Sequence, residues 1–122
     1  MSKFVIRTVN SGIKFDLRAT NGQTIATSEV YLTRAACLRG IESVRKNAPL
    51  AGTEDCITGD GKKVLNPKFE MYLDKADQFR FRLRARNGKI IATSEAYTTR
   101  AACENGIDSV RKNADLGEIT DE

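Results

Sequence analysis

The stretch NGQTIATSEVYLTRAACLRGIESVRKNA, starting at Asn21, returns as NGKIIATSEAYTTRAACENGIDSVRKNA, starting at Asn87. A chain of 122 residues that restates itself 66 positions later has to be built from two copies of one unit. With a one-residue gap opposite Asp77, residues 4–51 align with residues 69–117. The two parts of the alignment differ in strictness. Over residues 4–18 only Phe4, Phe15, Leu17 and Arg18 recur, 4 of 15, whereas residues 19–51 keep 23 of 33. Whatever packing or function the later part serves, it has tolerated less change.

Each copy opens with a period of two. Phe69, Met71 and Leu73 alternate with Glu70, Tyr72 and Asp74. After a turn through residues 75–78, Phe79, Phe81, Leu83 and Ala85 alternate with Arg80, Arg82, Arg84 and Arg86. That pattern predicts strands with one wet face. The first copy repeats it more loosely through Phe4 and Ile6, then Ile13, Phe15 and Leu17. Asn21-Gly22 and Asn87-Gly88 mark hairpin turns. The identity of Ile25 with Ile91 favours a three-residue loop, with glycine left-handed at a bulge, that sets Ile91 beside Leu83.

The period then changes to 3.6. Cys37, Gly40, Ile41, Val44 and Ala48 form one apolar stripe, repeated as Cys103, Gly106, Ile107, Val110 and Ala114. Thr33 and Thr99 are placed to cap these helices. Arg45-Lys46 and Arg111-Lys112 suit their negative ends. Pro49 stops the first helix, and Asn47 and Asn113 are expected to take a left-handed exit. Residues 56–58 and 118–120 are expected to be fourth strands. The fold class is therefore α+β: two β-β-β-α-β repeats in one domain, related by a pseudo-twofold axis, with two helices on one side of a joint sheet. The expected spans are 3–58 for the first repeat, 59–67 for a connector and 68–122 for the second.

The paired passages at residues 26–37 with 40–48, and 92–103 with 106–114, resemble the YegP-like family of uncharacterised bacterial proteins. The resemblance covers nearly the whole chain. It implies β3-α-β repeats that share a sheet and exchange their C-terminal strands. It implies no activity.

Candidate chemistry gathers at the strand-to-helix junctions, where free backbone N–H groups and the helix dipole favour anions. Ser28, Tyr31, Thr33 and Arg34, and again Ser94, Tyr97, Thr99 and Arg100, are candidate anion sites. Arg34 and Arg100 oppose the dipole and need a negative partner. Glu29 and Glu95 are the expected occupants, with a bound phosphate or carboxylate as the rival. A second candidate is the face of Arg80, Arg82, Arg84 and Arg86 with Tyr72, whose spacing and stacking ring would suit single-stranded nucleic acid. Glu70 and Asp74 are expected to share that face and pair with the arginines. Cys37 and Cys103 lie on the apolar stripe and read as small hydrophobes, a thiol redox pair being the alternative.

Composition narrows the remaining classes. Hydrophobic residues make up 40% and charged residues 30%, a globular balance, and no apolar run approaches the ~20 residues that span a bilayer. Arg7 interrupts any signal-peptide core, so a cytoplasmic monomer without membrane partners is expected. The net charge of +4 permits weak anion or nucleic-acid binding without indicating it. With no histidine, three cysteines without CxxC spacing, no P-loop and no nucleophile elbow, no metal and no cofactor are expected. A non-catalytic binding or accessory module is favoured, its partners open, and an enzyme is the minor alternative.

Overall fold

The computed structural model describes residues 1–58 and 62–122. The first copy contains strands β1 (Lys3–Val9), β2 (Gly12–Arg18) and β3 (Thr24–Thr27), helix α1 (Arg34–Asn47), a 3-10 turn (Ala48–Leu50) and β4 (Gly52–Asp55). The second contains β5 (Lys68–Leu73), β6 (Phe79–Arg84), β7 (Ile90–Thr93), α2 (Arg100–Ala114) and β8 (Glu118–Asp121). The connector expected over residues 59–67 lies partly outside the described residues.

All eight strands form one sheet in the order β4-β5-β6-β7-β3-β2-β1-β8. The copies meet at its centre, where β3 and β7 pair antiparallel through Thr27 and Thr93. At the edges each fourth strand lies parallel to the first strand of the other copy. Gly52–Asp55 runs along Lys68 to Met71, and Glu118–Asp121 along Lys3 to Ile6. One continuous core joins the copies beneath the two helices. Its strand side is Phe4, Ile6, Phe15, Leu17, Phe69, Met71, Phe81 and Leu83, and its helix side is the predicted stripe. Phe4 meets Phe15 edge-on at 5.7 Å, as Phe69 meets Phe81. Burying each such ring is worth roughly 1.5–3 kcal/mol.

Four expectations need correction. The hairpin does turn through three residues, with Gly88 at φ 87° and Ala85 bonded to Lys89. A further bulge between Leu83 and Arg84 then pairs Leu83 with Ala92, not Ile91. Ile91 is the extra residue of that bulge, buried nonetheless. The fourth strand of the first copy is Gly52–Asp55 rather than residues 56–58. Cys56 N–H still donates to Met71 O, but the Asp55 carboxylate then accepts from Ile57 N–H and turns the chain away. Asn47 does not go left-handed; it stays helical at φ −91°, and its amide donates back to the Ser43 carbonyl. Asn113 does the same to Ser109 inside α2. Last, Leu73 does not join the inward row and is exposed.

Candidate functional site

At the junctions between β3 and α1, and between β7 and α2, the repeated polar passage acts as a set of internal fasteners. Ser28 and Ser94 are buried; each hydroxyl accepts from a strand N–H (Phe15 or Phe81, both 2.9 Å) and donates to the following carbonyl. Tyr31 bridges Ile13 and stacks on Phe15 at 6.4 Å, and Tyr97 bridges Phe79 and stacks on Phe81 at the same distance. Burial raises both phenol pKa values. Thr33 and Thr99 cap their helices, each hydroxyl accepting from the N–H three residues on at 3.1 Å.

The arginines find a different partner from the one expected. Arg34 pairs with Asp121 at 2.8 Å, and Arg100 pairs with Asp55. Glu29 and Glu95 are exposed and, among the described residues, make no ion pair. The physical reason is the sheet order. The fourth strand of the other copy ends beside each helix N-terminus and delivers a carboxylate there. The far end of each helix grips the same strand. Arg45 Nη2 donates to the Gly117 carbonyl, and Arg111 Nη2 donates to the Ala51 carbonyl and to Thr53 Oγ1, both at 2.9 Å. Their guanidinium groups lie over Phe4 and Phe69 at 5.4 and 5.0 Å. Much of the strictly repeated passage is thereby explained as one copy holding the other.

The arginine face is likewise engaged. Arg82 and Arg84 converge on Glu70 at 2.7 and 2.6 Å, and Arg80 takes Asp74 at 2.7 Å. Arg82 also lies over one face of the Tyr72 ring at 4.7 Å. Arg86 does not join this ladder; it sits on the hairpin between β6 and β7, exposed. Cys37 and Cys103 are fully buried in the core, and burial pushes the Cys103 thiol up to about 11. Cys56 is exposed, with ligand atoms of Glu54, Cys56 and Glu70 within 4.8 Å of one another. A cation of the chain already occupies that group: Lys68 Nζ lies 2.9 Å from Glu54 and 3.5 Å from Glu70.

A feature the sequence reading missed lies between α1 and the β6–β7 hairpin. There a cleft of about 420 Å³ is lined by Arg39, Glu42, Lys46 and Leu50 from the first copy and by Ala85 and Arg86 from the second. That volume falls in the range of small-molecule sites. The chain has eleven arginines. Nine of them, residues 7, 18, 34, 45, 80, 82, 84, 100 and 111, are in ion pairs. The other two, Arg39 and Arg86, have no such partner among the described residues, and both line this cleft. Lys46 has no ion-pair partner among the described residues either, while Glu42 is taken by Arg45 at 2.6 Å. One signal was available: Arg39 and Arg86 are two of the few positions where the well-kept halves differ, standing opposite Asn105 and Thr20.

The family model described as a domain of unknown function, DUF1508, matches the chain twice, over residues 10–55 and 74–121. The chain belongs to the DUF1508 family. A curated relative, a UPF0339 protein from the ptx operon 5′ region of Stutzerimonas stutzeri, is 38% identical over 83% of this chain and 78% of that protein. A UPF0339 protein of Treponema denticola is 62% identical over 47 residues, which are 38% of this chain and 81% of that relative. The solution structure of yegP from E. coli, a protein of unknown function, superposes with a TM-score of 0.81 at 30% identity, covering 99% of this chain and 92% of that one. Within this DUF1508 chain, Arg39 falls in the first matched segment and Arg86 in the second, so the cleft joins the two DUF1508 units. No helix of the described residues is long and apolar enough to cross a membrane.

Proposed function

We propose that this DUF1508 chain is a small non-catalytic binding module that holds a small anion in the cleft between α1 and the β6–β7 hairpin. The observation that carries the reading is the distribution of arginine partners: among the described residues every arginine but Arg39 and Arg86 is in an ion pair, and these two line one cleft. Guanidinium groups facing a concave site bind carboxylate or phosphate in two-pronged hydrogen bonds. Lys46 adds a third charge, and Ala85 and Leu50 supply apolar wall.

The rival readings have less support. A nucleic-acid role for Arg80, Arg82 and Arg84 would have to break their pairs with Asp74 and Glu70. Thiol chemistry at Cys37 and Cys103 would need thiolates where burial disfavours them. The anion sites expected at the helix N-termini would compete with Asp55 and Asp121.

The test is a titration of ¹⁵N-labelled protein with sodium phosphate at constant ionic strength. Saturable shifts are expected in residues 39–50 and 84–89, and are lost in an Arg39→Ala/Arg86→Ala variant. Shifts centred on Arg34 and Arg100, or scattered over all surface cations, would overturn the assignment.

A further inference from the structure

Because the chain is a duplication, the residues that line the cleft have counterparts, on α2 of the second copy and on the hairpin between β2 and β3 of the first. The two places differ in charge. Where the first has Arg39 and Arg86, the second has Asn105 and Thr20. These two differences lie in opposite copies. Arg39 belongs to the helix of the first and Arg86 to the hairpin of the second, 47 positions apart, yet both cations fall in the same cleft. A random scatter of arginines over two copies has no reason to place one on each wall of a single cleft. Among the positions equivalent to the cleft's lining, Lys112 is the one cation left, with Asp108 bound to Arg111 at 3.0 Å.

Resting on the reading above, we infer that the cleft takes one molecule per chain of a dianion carrying a small apolar group, and that the counterpart takes none. Arg39 and Lys46 are seven residues apart on one face of α1, so their stems stand about 10 Å apart along the axis. Arg86 faces them from the hairpin. With Glu42 neutralised by Arg45, three positive charges remain, more than a monoanion offsets. Leu50, 64% exposed, lines the cleft from the 3-10 turn after α1 and offers its side chain to an apolar group. An aryl or short acyl phosphate, or a dicarboxylate with a hydrocarbon body, has this chemistry.

Calorimetric titration with three probes tests it: phenyl phosphate, inorganic phosphate and benzoate. Phenyl phosphate is expected to bind one per chain, about tenfold tighter than inorganic phosphate through burial of its ring, and tighter again than benzoate. Exchanging the cations for the residues of the other copy, Arg39→Asn/Arg86→Thr, should abolish binding. Installing them there, Thr20→Arg/Asn105→Arg, should raise the stoichiometry from one to two. Thr20 and Asn105 are exposed, so the second variant carries no packing change. Equal affinity for phenyl and inorganic phosphate overturns the ligand class while leaving an anion site. Two equivalents bound by the unaltered chain, or one by the doubled variant, overturns the single-copy assignment. Absence of binding by all three probes removes this inference together with the reading beneath it.

Discussion

Replacing Gly40 by alanine isolates the tightest contact in the repeated passage. A methyl at Gly40 would stand 2.3 Å from the Tyr31 hydroxyl, 2.7 Å from the adjoining ring carbon and 3.1 Å from the Phe15 ring. Normal carbon contacts are about 3.5–4.0 Å, so the tyrosine must shift by roughly an ångström or more. It cannot shift freely, because it stacks on Phe15 and its backbone bridges Ile13. Overpacking of this kind costs about 1–3 kcal/mol. Alanine returns about 1 kcal/mol through helix propensity. The expected net is a loss of up to about 2 kcal/mol, read as a lower urea midpoint at unchanged slope. In a Tyr31→Ala background the hydroxyl and most of the ring are gone, and Gly40→Ala should change sign, stabilising by up to about 1 kcal/mol. Gly106 beneath Tyr97, where the hydroxyl would lie 2.5 Å away, provides an independent repeat in the same chain. If Gly40→Ala stabilises the unaltered protein, or acts with the same sign in both backgrounds, the tyrosine does not select the glycine and the reasoning fails.

Removing one cap, Thr33→Ala or Thr99→Ala, should cost about 1 kcal/mol each in chemical denaturation, and additively, since the two helices are capped separately. Titration with a thiol reagent should label Cys56 at once and leave Cys37 and Cys103 unreacted until the protein unfolds; rapid labelling of three thiols in the native state would contradict the core. Acid should destabilise the fold through the carboxylates at the edge of the sheet. Glu54 is held at about 2 by the Val64 N–H and Lys68, and Arg100 lowers Asp55. Folded-state values below the unfolded ones mean stability that is present above about pH 4.5 and lost as pH falls towards 2. Urea midpoints between pH 5 and 2.5 should fall for the unaltered chain and fall less for Glu54→Gln; a flat profile would refute the pairing.

The duplicated period change made the architecture legible, because alternation through Phe81 and Leu83 and the stripe through Ile41 and Val44 are local patterns that one core must satisfy. What escaped was long-range. Gly52, Thr53, Glu54 and Asp55 show no apolar alternation, since this edge strand is ordered by hydrogen bonds to β5 and by Arg111 rather than by burial. Glu29 was the natural neighbour of Arg34 on the chain, but Asp121, 87 residues away, is its neighbour in space. The same limit hid the cleft, whose walls come from two copies. Thr33, Thr99, Ser28 and Ser94 were legible as special positions because they recur, yet recurrence alone did not separate fastening from binding. Difference between the copies was the more informative signal.

The parallel pairing of β8 with β1 also sets a timetable for the newly made chain. β1 ends at Val9, yet its outer neighbour begins at Glu118, more than a hundred residues later. At about 5–20 residues per second of translation, that neighbour follows roughly 5–20 s behind. Through this interval the outer edge of β1 has no strand beside it, and Phe4 lacks the cover of Gly117. An unpaired edge is a template for whichever strand arrives first. On a crowded polysome, the eighth strand of a chain nearer completion is a competitor for that place, and the outcome would be two proteins laced together at the very seam that normally closes one.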